Sequence, residues 1–311
     1  MQYERLGGDG PQVSEVGIGT WQASGEQWGS DVRFEKIKEA IRRANELGVN
    51  LIDTAEAYGN GQSEKVVGEA VAELDRGKVM VATKVNSHLR HDDVKRACEE
   101  SLERLGLDKI DLYQVHWPDP WSQIPLRETM TAMEELYQEG KIGAIGVSNF
   151  AVRDLEEARA ILDEGRIVSN QVIYNMLERQ IEEEVLPYCR EHDITVIGYS
   201  PLAQGLLTGK YGPDNKPDDD VRSGSALFKD HNLREIGGLL DVMEEVAENH
   251  GKAMAQVALN WIVDKPGVIA IPGAKNSDQA QSNAAAVGWE MSSGEREKID
   301  AELEELELDF F

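Results

Sequence analysis

Eight short apolar runs rich in β-branched residues recur along the chain: VGIGTW (16–21), NLIDTA from 50, VMVATKV from 79, IDLYQVHW from 110, IGAIGVSN from 142, then IVSNQV, ITVIGYS and VIAIP. Between them lie longer stretches whose apolar residues fall three and four apart, such as FEKIKEAIRRANELG, DVKRACEESLERLG and VRDLEEARAILDEG. Strands alternating with helices predict parallel pairing through right-handed crossovers, and eight strands predict closure into an α/β fold of the (β/α)8 TIM-barrel kind. Asp53, Lys84, His116 and Ser148 each close one of these runs, at separations of 31, 32 and 32 residues, one βα unit apiece. A single polar residue at a strand end reads as a cap or turn former. Four in register place polar groups at one height, on the C-terminal rim where barrel enzymes carry their chemistry.

Three segments break the rhythm. Residues 1–15 predict an N-terminal β-hairpin turning at Gly8-Asp9-Gly10, 210–230 a Gly, Pro and Asp-rich loop long enough for a lid, and 293–307 an extra acidic C-terminal helix. With no linker or shift of composition, 1–311 reads as one domain.

Composition narrows the classes. The 58 acidic and 32 basic side chains leave a net charge of -26 spread along the chain, which disfavours nucleic acid and anionic membrane as partners. A salt-adapted cytosol favours such an acidic surface, and an acidic mesophilic protein can carry one too. The opening MQYERLGGDGPQ lacks the apolar core of a signal peptide and no run approaches a membrane span, so a cytoplasmic protein is expected. Cys98 and Cys189 read as bystander thiols, without metal-ligand spacing or disulfide pattern.

The rim residues suggest a proton-transfer site. A tyrosine hydroxyl, with an ordinary pKa of about 10, exchanges protons poorly at neutral pH, and a neighbouring ammonium is expected to lower that value. Lys84 is the expected neighbour of Tyr58, Asp53 would hold Lys84 charged in the pocket, and His116 would orient a substrate oxygen. Such a group gives a proton to a developing alkoxide but supplies no hydride, so it implies a reductant cofactor. A metal-dependent isomerase would need several converging carboxylate or His ligands, and only Asp53 and His116 qualify, with Lys84 between them; no metal site is expected. GGDG (7–10) and YGNGQ (58–62) have the wrong spacing for a Rossmann fingerprint and read as turns.

D-T-A-E-A-Y-G at 53–59, V-A-T-K ending at Lys84, H-W-P at 116–118 and G-V-S-N-F at 146–150 resemble the aldo-keto reductase family, and the likeness runs from the GIGTW strand to the IPGAK segment. The motif style is similar to its bacterial general-stress and sugar-aldehyde branches. The resemblance implies Tyr58 as general acid, Asp53 and Lys84 tuning it, and His116 orienting the carbonyl. It implies an NADP cofactor (NADPH), with NAD possible. Ser148, Asn149 and Gln171 would hold the nicotinamide carboxamide, Tyr199 would stack on the ring, and Ser200, Leu202, Gly205 and Lys210 would form a pyrophosphate strap. Thr20, Trp21, Gly273, Lys275, Gln279 and Asn283 complete the implied cofactor set. Lys275 is the implied partner of a 2'-phosphate, while Gln279 stands where many relatives carry an arginine and Ser282 where a glutamate is frequent.

Trp21 and Trp117 are expected to wall the substrate pocket, with Trp28 and Trp121 on loops that could reach it or pack on the surface. The expected substrate is a small carbonyl compound: an aldehyde, ketone, aryl carbonyl or sugar-like molecule. Oligomeric state is left open. A rival reading is a regulatory subunit resembling potassium-channel β-subunits, which would bind the cofactor with little turnover.

Overall fold

A computed structural model describes residues 1–25, 28, 32–86, 89–119, 123–163 and 165–310. The chain begins with an antiparallel hairpin, β1 (Tyr3–Arg5) and β2 (Gln12–Ser14), as the glycines at 7, 8 and 10 suggest. Eight parallel strands follow: β3 (Ile18–Gly19), β4 (Leu51–Asp53), β5 (Met80–Val85), β6 (Leu112–Val115), β7 (Ile145–Ser148), β8 (Ile167–Ile173), β9 (Thr195–Tyr199) and β10 (Val268–Ala270), paired in that order. Parallel bridges Val16–Ala270 and Gly19–Gly273 join the first strand to the last and close the barrel.

The outer layer begins with α1 (Phe34–Glu46), α2 (Gln62–Val71), α3 (His91–Leu105), α4 (Leu126–Gln138), α5 (Val152–Arg159) and α6 (Val185–Glu191). Regular alternation stops after β9. There α7 (Asp220–Ser223), α8 (Asp230–Glu235), α9 (Gly237–His250) and α10 (Met254–Val263) intervene before β10, and α11 (Ser277–Ala284) and α12 (Ser293–Glu305) follow it. The segment read as a loop at 210–230 thus contains short helical turns, anchored by the buried side chains of Tyr211, Leu227 and Phe228. No helix among the described residues is long and apolar enough to cross a membrane.

One buried cluster fills the space between strands and helices, and a second, including Leu6, Leu51, Met80, Ala82, Leu112, Val168, Ile197 and Ile269, fills the barrel interior. Leu6 of the hairpin is fully buried in that inner cluster, so the hairpin closes the N-terminal end. Because side chains alternate along a strand, the period that turns Leu51, Ala82 and Leu112 inward also turns Asp53, Lys84 and Gln114 inward one step nearer the C-terminal end. The site is therefore the barrel's inner stack continued with polar residues.

At the periphery, Ser292 and Glu295 form a capping box at the start of α12, and Glu295 accepts from His250 Nε2 at 2.9 Å. The His250 contact, outweighing burial and helped by Ser292, brings the Glu295 carboxyl down to about 2 from an ordinary 4.5. A depressed carboxylate stabilises the fold fully above its unfolded value, and the contribution is lost as pH falls through the folded one. Glu295→Ala should therefore cost about 1 kcal/mol at neutral pH. Urea melts should show that cost shrinking as pH falls from about 4.5 towards 2.

Candidate active site

Asp53 ends β4 and Lys84 is the next-to-last residue of β5. Lys84 is fully buried and Asp53 almost so, with the ammonium Nζ 2.6 Å from Asp53 Oδ1 and 2.8 Å from the Thr54 carbonyl. The other carboxylate oxygen, Oδ2, accepts from Gln171 Nε2 at 2.8 Å and Gln114 Nε2 at 3.3 Å. Burial favours the neutral amine, but Asp53 together with Tyr58 outweighs it and the Lys84 pKa lies above its ordinary value.

Tyr58 lies in the turn between β4 and α2, with its hydroxyl 3.5 Å from Lys84 Nζ. The turn is pinned from several sides. Ser63 NH donates to the Tyr58 carbonyl, and Ser63 Oγ lies 2.8 Å from both Thr20 Oγ1 and Thr54 Oγ1. Lys84 pulls the tyrosine down as expected, but the net shift runs the other way. Burial of the phenol, aided by the Asp53 charge, overcomes the attraction of Lys84, so the Tyr58 pKa is raised and the hydroxyl holds its proton.

His116 directly follows β6 and meets the Tyr58 ring edge-on, with centroids 5.9 Å apart. Its Nδ1 is buried, with no hydrogen-bond partner among the described residues. Burial first, then the Lys84 charge, pushes the imidazole down to about 3, so the ring is neutral at physiological pH.

Around this group the expected cofactor residues form a connected network. Asn149, with φ 61°, donates to the His116 carbonyl and to Ser148 Oγ at 3.0 Å each, and accepts from the Tyr199 hydroxyl at 3.0 Å. Ser148 Oγ donates to the Gln171 carbonyl. A cleft runs from Asp53 and Tyr58 past Thr20, Trp21, Tyr199, Ser200, Leu202 and Gly205 to Gly273, Lys275, Gln279 and Asn283.

Other expected residues stand elsewhere. Lys210, like Ser148, Asn149 and Gln171, is not among the residues that line the cleft; its ammonium lies 5.1 Å from the centre of the Tyr211 ring. The cation that does line it from this segment is Arg222, held by Asp219 and by the Tyr211 hydroxyl at 2.6 Å. Trp117, 49% exposed, lies outside the cleft lining, whereas Trp28 is buried in it and packs edge-on against Trp21 at 4.7 Å. Trp121 lies outside the described residues.

Gln22 and Gln204 also line the cleft, and neither follows from strand periodicity. Each has a buried amide oxygen with no hydrogen-bond partner among the described residues, and the buried Trp28 indole N–H has none among them either. Gln22 crosses the face of Gly273, where an added Cβ would fall 2.0 Å from Gln22 Nε2, so a side chain at 273 would have to displace the Gln22 amide. Backbone strain concentrates at the opposite wall, with φ of 51° at Ser200, 46° at Ala203 and 57° at Gln204.

Comparison with known proteins gives the family. The model of the aldo/keto reductase family matches residues 15–304. The chain belongs to that family. The aldo-keto reductase YhdN of Bacillus subtilis (strain 168) is 40% identical, over 98% of this chain and 94% of its own. The NADH-specific methylglyoxal reductase of Escherichia coli (strain K12) is 33% identical over 99% of this chain and all of its own. A solved aldo/keto reductase from Klebsiella pneumoniae, in complex with NADP and acetate, is 33% identical, with a TM-score of 0.77 over 96% of this chain and 94% of that one. Family membership accounts for the aldo-keto reductase motifs and the barrel together.

Proposed function

We propose that this aldo/keto reductase reduces aldehydes, ketones or sugar-like carbonyls to alcohols with NADPH, accepting NADH, and that Tyr58 is the proton donor. The observation that carries the reading is a protonated phenol held 3.5 Å from a buried ammonium, itself locked to a carboxylate 2.6 Å away, on the floor of an open cleft.

The cleft fits a dinucleotide. Unpartnered acceptors on Gln22 and Gln204 suit ribose hydroxyls, the Trp28 N–H suits an acceptor, and Lys275 and Arg222 suit phosphates. Tyr199 offers a ring face, and Asn149 and Gln171 offer amides for the carboxamide. When bound, the reduced nicotinamide supplies a hydride to the carbonyl carbon. Tyr58 transfers its hydroxyl proton to the carbonyl oxygen, and Lys84 stabilises the phenolate left behind. Asp53 keeps Lys84 charged. His116, being neutral, positions the carbonyl oxygen through a ring N–H without adding charge to the pocket.

Cofactor oxidation followed with NADPH and NADH over a panel of aldehydes, ketones and sugars, at low and high salt, tests the reading. Turnover of at least one carbonyl class is expected. Tight cofactor binding with no turnover of any of them would instead favour a regulatory subunit.

The adenosine end gives a separate expectation. Lys275 Nζ donates to the Trp28 carbonyl at 2.6 Å, and Gln279 Oε1 accepts from the Lys275 backbone N–H. Lys275→Ala should weaken NADPH about tenfold while leaving NADH within about twofold, since only the former brings a phosphate to meet the ammonium. Equal losses for the two cofactors, measured by fluorescence titration, would remove Lys275 from phosphate recognition.

A further inference from the structure

The turn that carries Tyr58 is a wall between two clefts. Tyr58 lines the first, with the expected cofactor residues, and its chain neighbours Ala57 and Asn60 line a second, polar one together with Glu56, Asn86 and Arg104. Directly after Tyr58 the backbone runs left-handed for three residues, with φ of 61° at Gly59, 51° at Asn60 and 82° at Gly61. A segment in this sparsely populated region keeps one conformation only when its surroundings impose it.

The contacts that impose it converge on Arg104, the next-to-last residue of α3, whose side chain is 19% exposed. Its stem lies against the turn, since a Cβ added at Gly61 would fall 2.4 Å from Arg104 Cδ. Its Nε donates to Glu64 Oε2 at 2.5 Å and its Nη2 to Ser101 Oγ at 3.1 Å, while Glu100 and Glu56 stand 3.6 and 4.0 Å from the guanidinium. Glu64, in the first turn of α2, is fully buried, and its Oε1 accepts from Thr83 Oγ1 at 2.6 Å. Glu56 Oε1 accepts from the Asn86 backbone N–H at 2.6 Å. Thr83 immediately precedes Lys84 on β5, and because side chains alternate it faces α2 while Lys84 faces the barrel. One guanidinium thus ties the turn bearing Tyr58 to the strand bearing Lys84.

We propose that Arg104 is a positioning residue for the proton transfer: through Glu64 and the 59–61 turn it holds the Tyr58 hydroxyl at its 3.5 Å from Lys84 Nζ. The inference rests on the proposed role of Tyr58. Apart from Tyr58, no described residue of the turn or of α3 lines the first cleft, so loosening the clamp should spare cofactor binding. A misplacement of about 1 Å at a reacting group costs on the order of 10²-fold in rate.

The test is single-turnover reduction of 4-nitrobenzaldehyde by NADPH-loaded protein, which separates a rate constant from an amplitude. Lysine keeps the charge but loses the planar fork that reaches Glu64 and Ser101 together. Arg104→Lys should lower the rate constant roughly tenfold at full amplitude, with the NADPH dissociation constant within about twofold of the parent's and a larger solvent deuterium effect. Arg104→Met would strand the buried Glu64, so it is combined with Glu64→Gln, which removes that charge and keeps an acceptor for Thr83. The double variant should lose roughly a hundredfold. In a Tyr58→Phe background, Arg104→Lys should add less than about twofold, because the donor it places is already gone. A role in folding alone would lower the amplitude and leave the rate constant parental. That result, a matching loss of NADPH affinity, or an equal loss of rate with and without the Tyr58 hydroxyl would overturn the proposal. If Tyr58→Phe is inactive while both Arg104 variants react at the parental rate, only the role of Arg104 fails, whereas a Tyr58→Phe at the parental rate removes the proton donor on which that role depends.

Discussion

Tyr58→Phe is expected to lower kcat for carbonyl reduction by two to four orders of magnitude, roughly what loss of a positioned general acid costs, while leaving NADPH affinity close to parental. The ring itself is retained, so its stacking with Trp21, at 6.2 Å between centroids, and its edge contact with His116 should survive. Only the hydroxyl beside Lys84 is lost. The pH dependence carries the same logic. With the Tyr58 pKa raised by burial, the parent keeps its proton donor well into the alkaline range, so reduction should hold up past pH 9. His116, pushed down to about 3, should add no titration between pH 5 and 8. Single-turnover mixing of the NADPH-loaded variant with 4-nitrobenzaldehyde is the check. A parental rate would remove Tyr58 from the chemistry, and a lost rate with lost NADPH binding would point to a collapsed site.

How far the site can be read without coordinates depends on which physical rule places each residue. Asp53 and Lys84 stand on strands, where side chains alternate and one face must enter the barrel, so period and spacing suffice to aim them. The register is staggered all the same: Asp53 pairs with Ala82 and Lys84 with Gln114, and it is the reach of the lysine side chain that makes the ion pair. Gln114 obeys the same period, one step below His116. It passes unnoticed in sequence because an amide in a strand carries no mark of what it touches.

Loop residues obey no such period. Tyr58 is reached through chemistry and family likeness, and its distance from Lys84 comes from a turn pinned by Ser63, Thr20 and Thr54. Lys210 and Arg222 illustrate the opposite outcome. Each is a cation in the same irregular segment, and which one meets the cleft is decided by packing that pairs Arg222 with the almost fully buried carboxylate of Asp219. The fold is more legible than the site for the same reason. Eight strands follow from a repeating pattern and the terminal hairpin from its glycine-rich turn, whereas the helical insertion between β9 and β10 has no counterpart in the alternating rhythm.

Lys84→Met should damage stability and catalysis together, and the pairing of these losses is what distinguishes it from Tyr58→Phe. Removing one member of a buried ion pair leaves the other without compensation, which costs about 3–5 kcal/mol. Asp53, almost fully buried, would keep Gln171 and Gln114 as donors to Oδ2 and, among the described residues, no side-chain donor at Oδ1 once the ammonium is gone. The parent's pairing persists over a wide range: with the Lys84 pKa raised above its ordinary 10.5, the stabilisation is complete below that value and is lost only as pH rises through the higher, folded one. Denaturant melts at pH 7 should therefore show the full penalty. A second substitution, Asp53→Asn, removes the stranded charge and should return a good part of the stability without returning activity, because the ammonium that stabilises the Tyr58 phenolate is still missing. If Lys84→Met were as stable as the parent, the buried pair would not be an ion pair of the strength its 2.6 Å geometry implies. If the double variant regained turnover along with stability, Lys84 would be a structural residue and the proton transfer would need another electrostatic source.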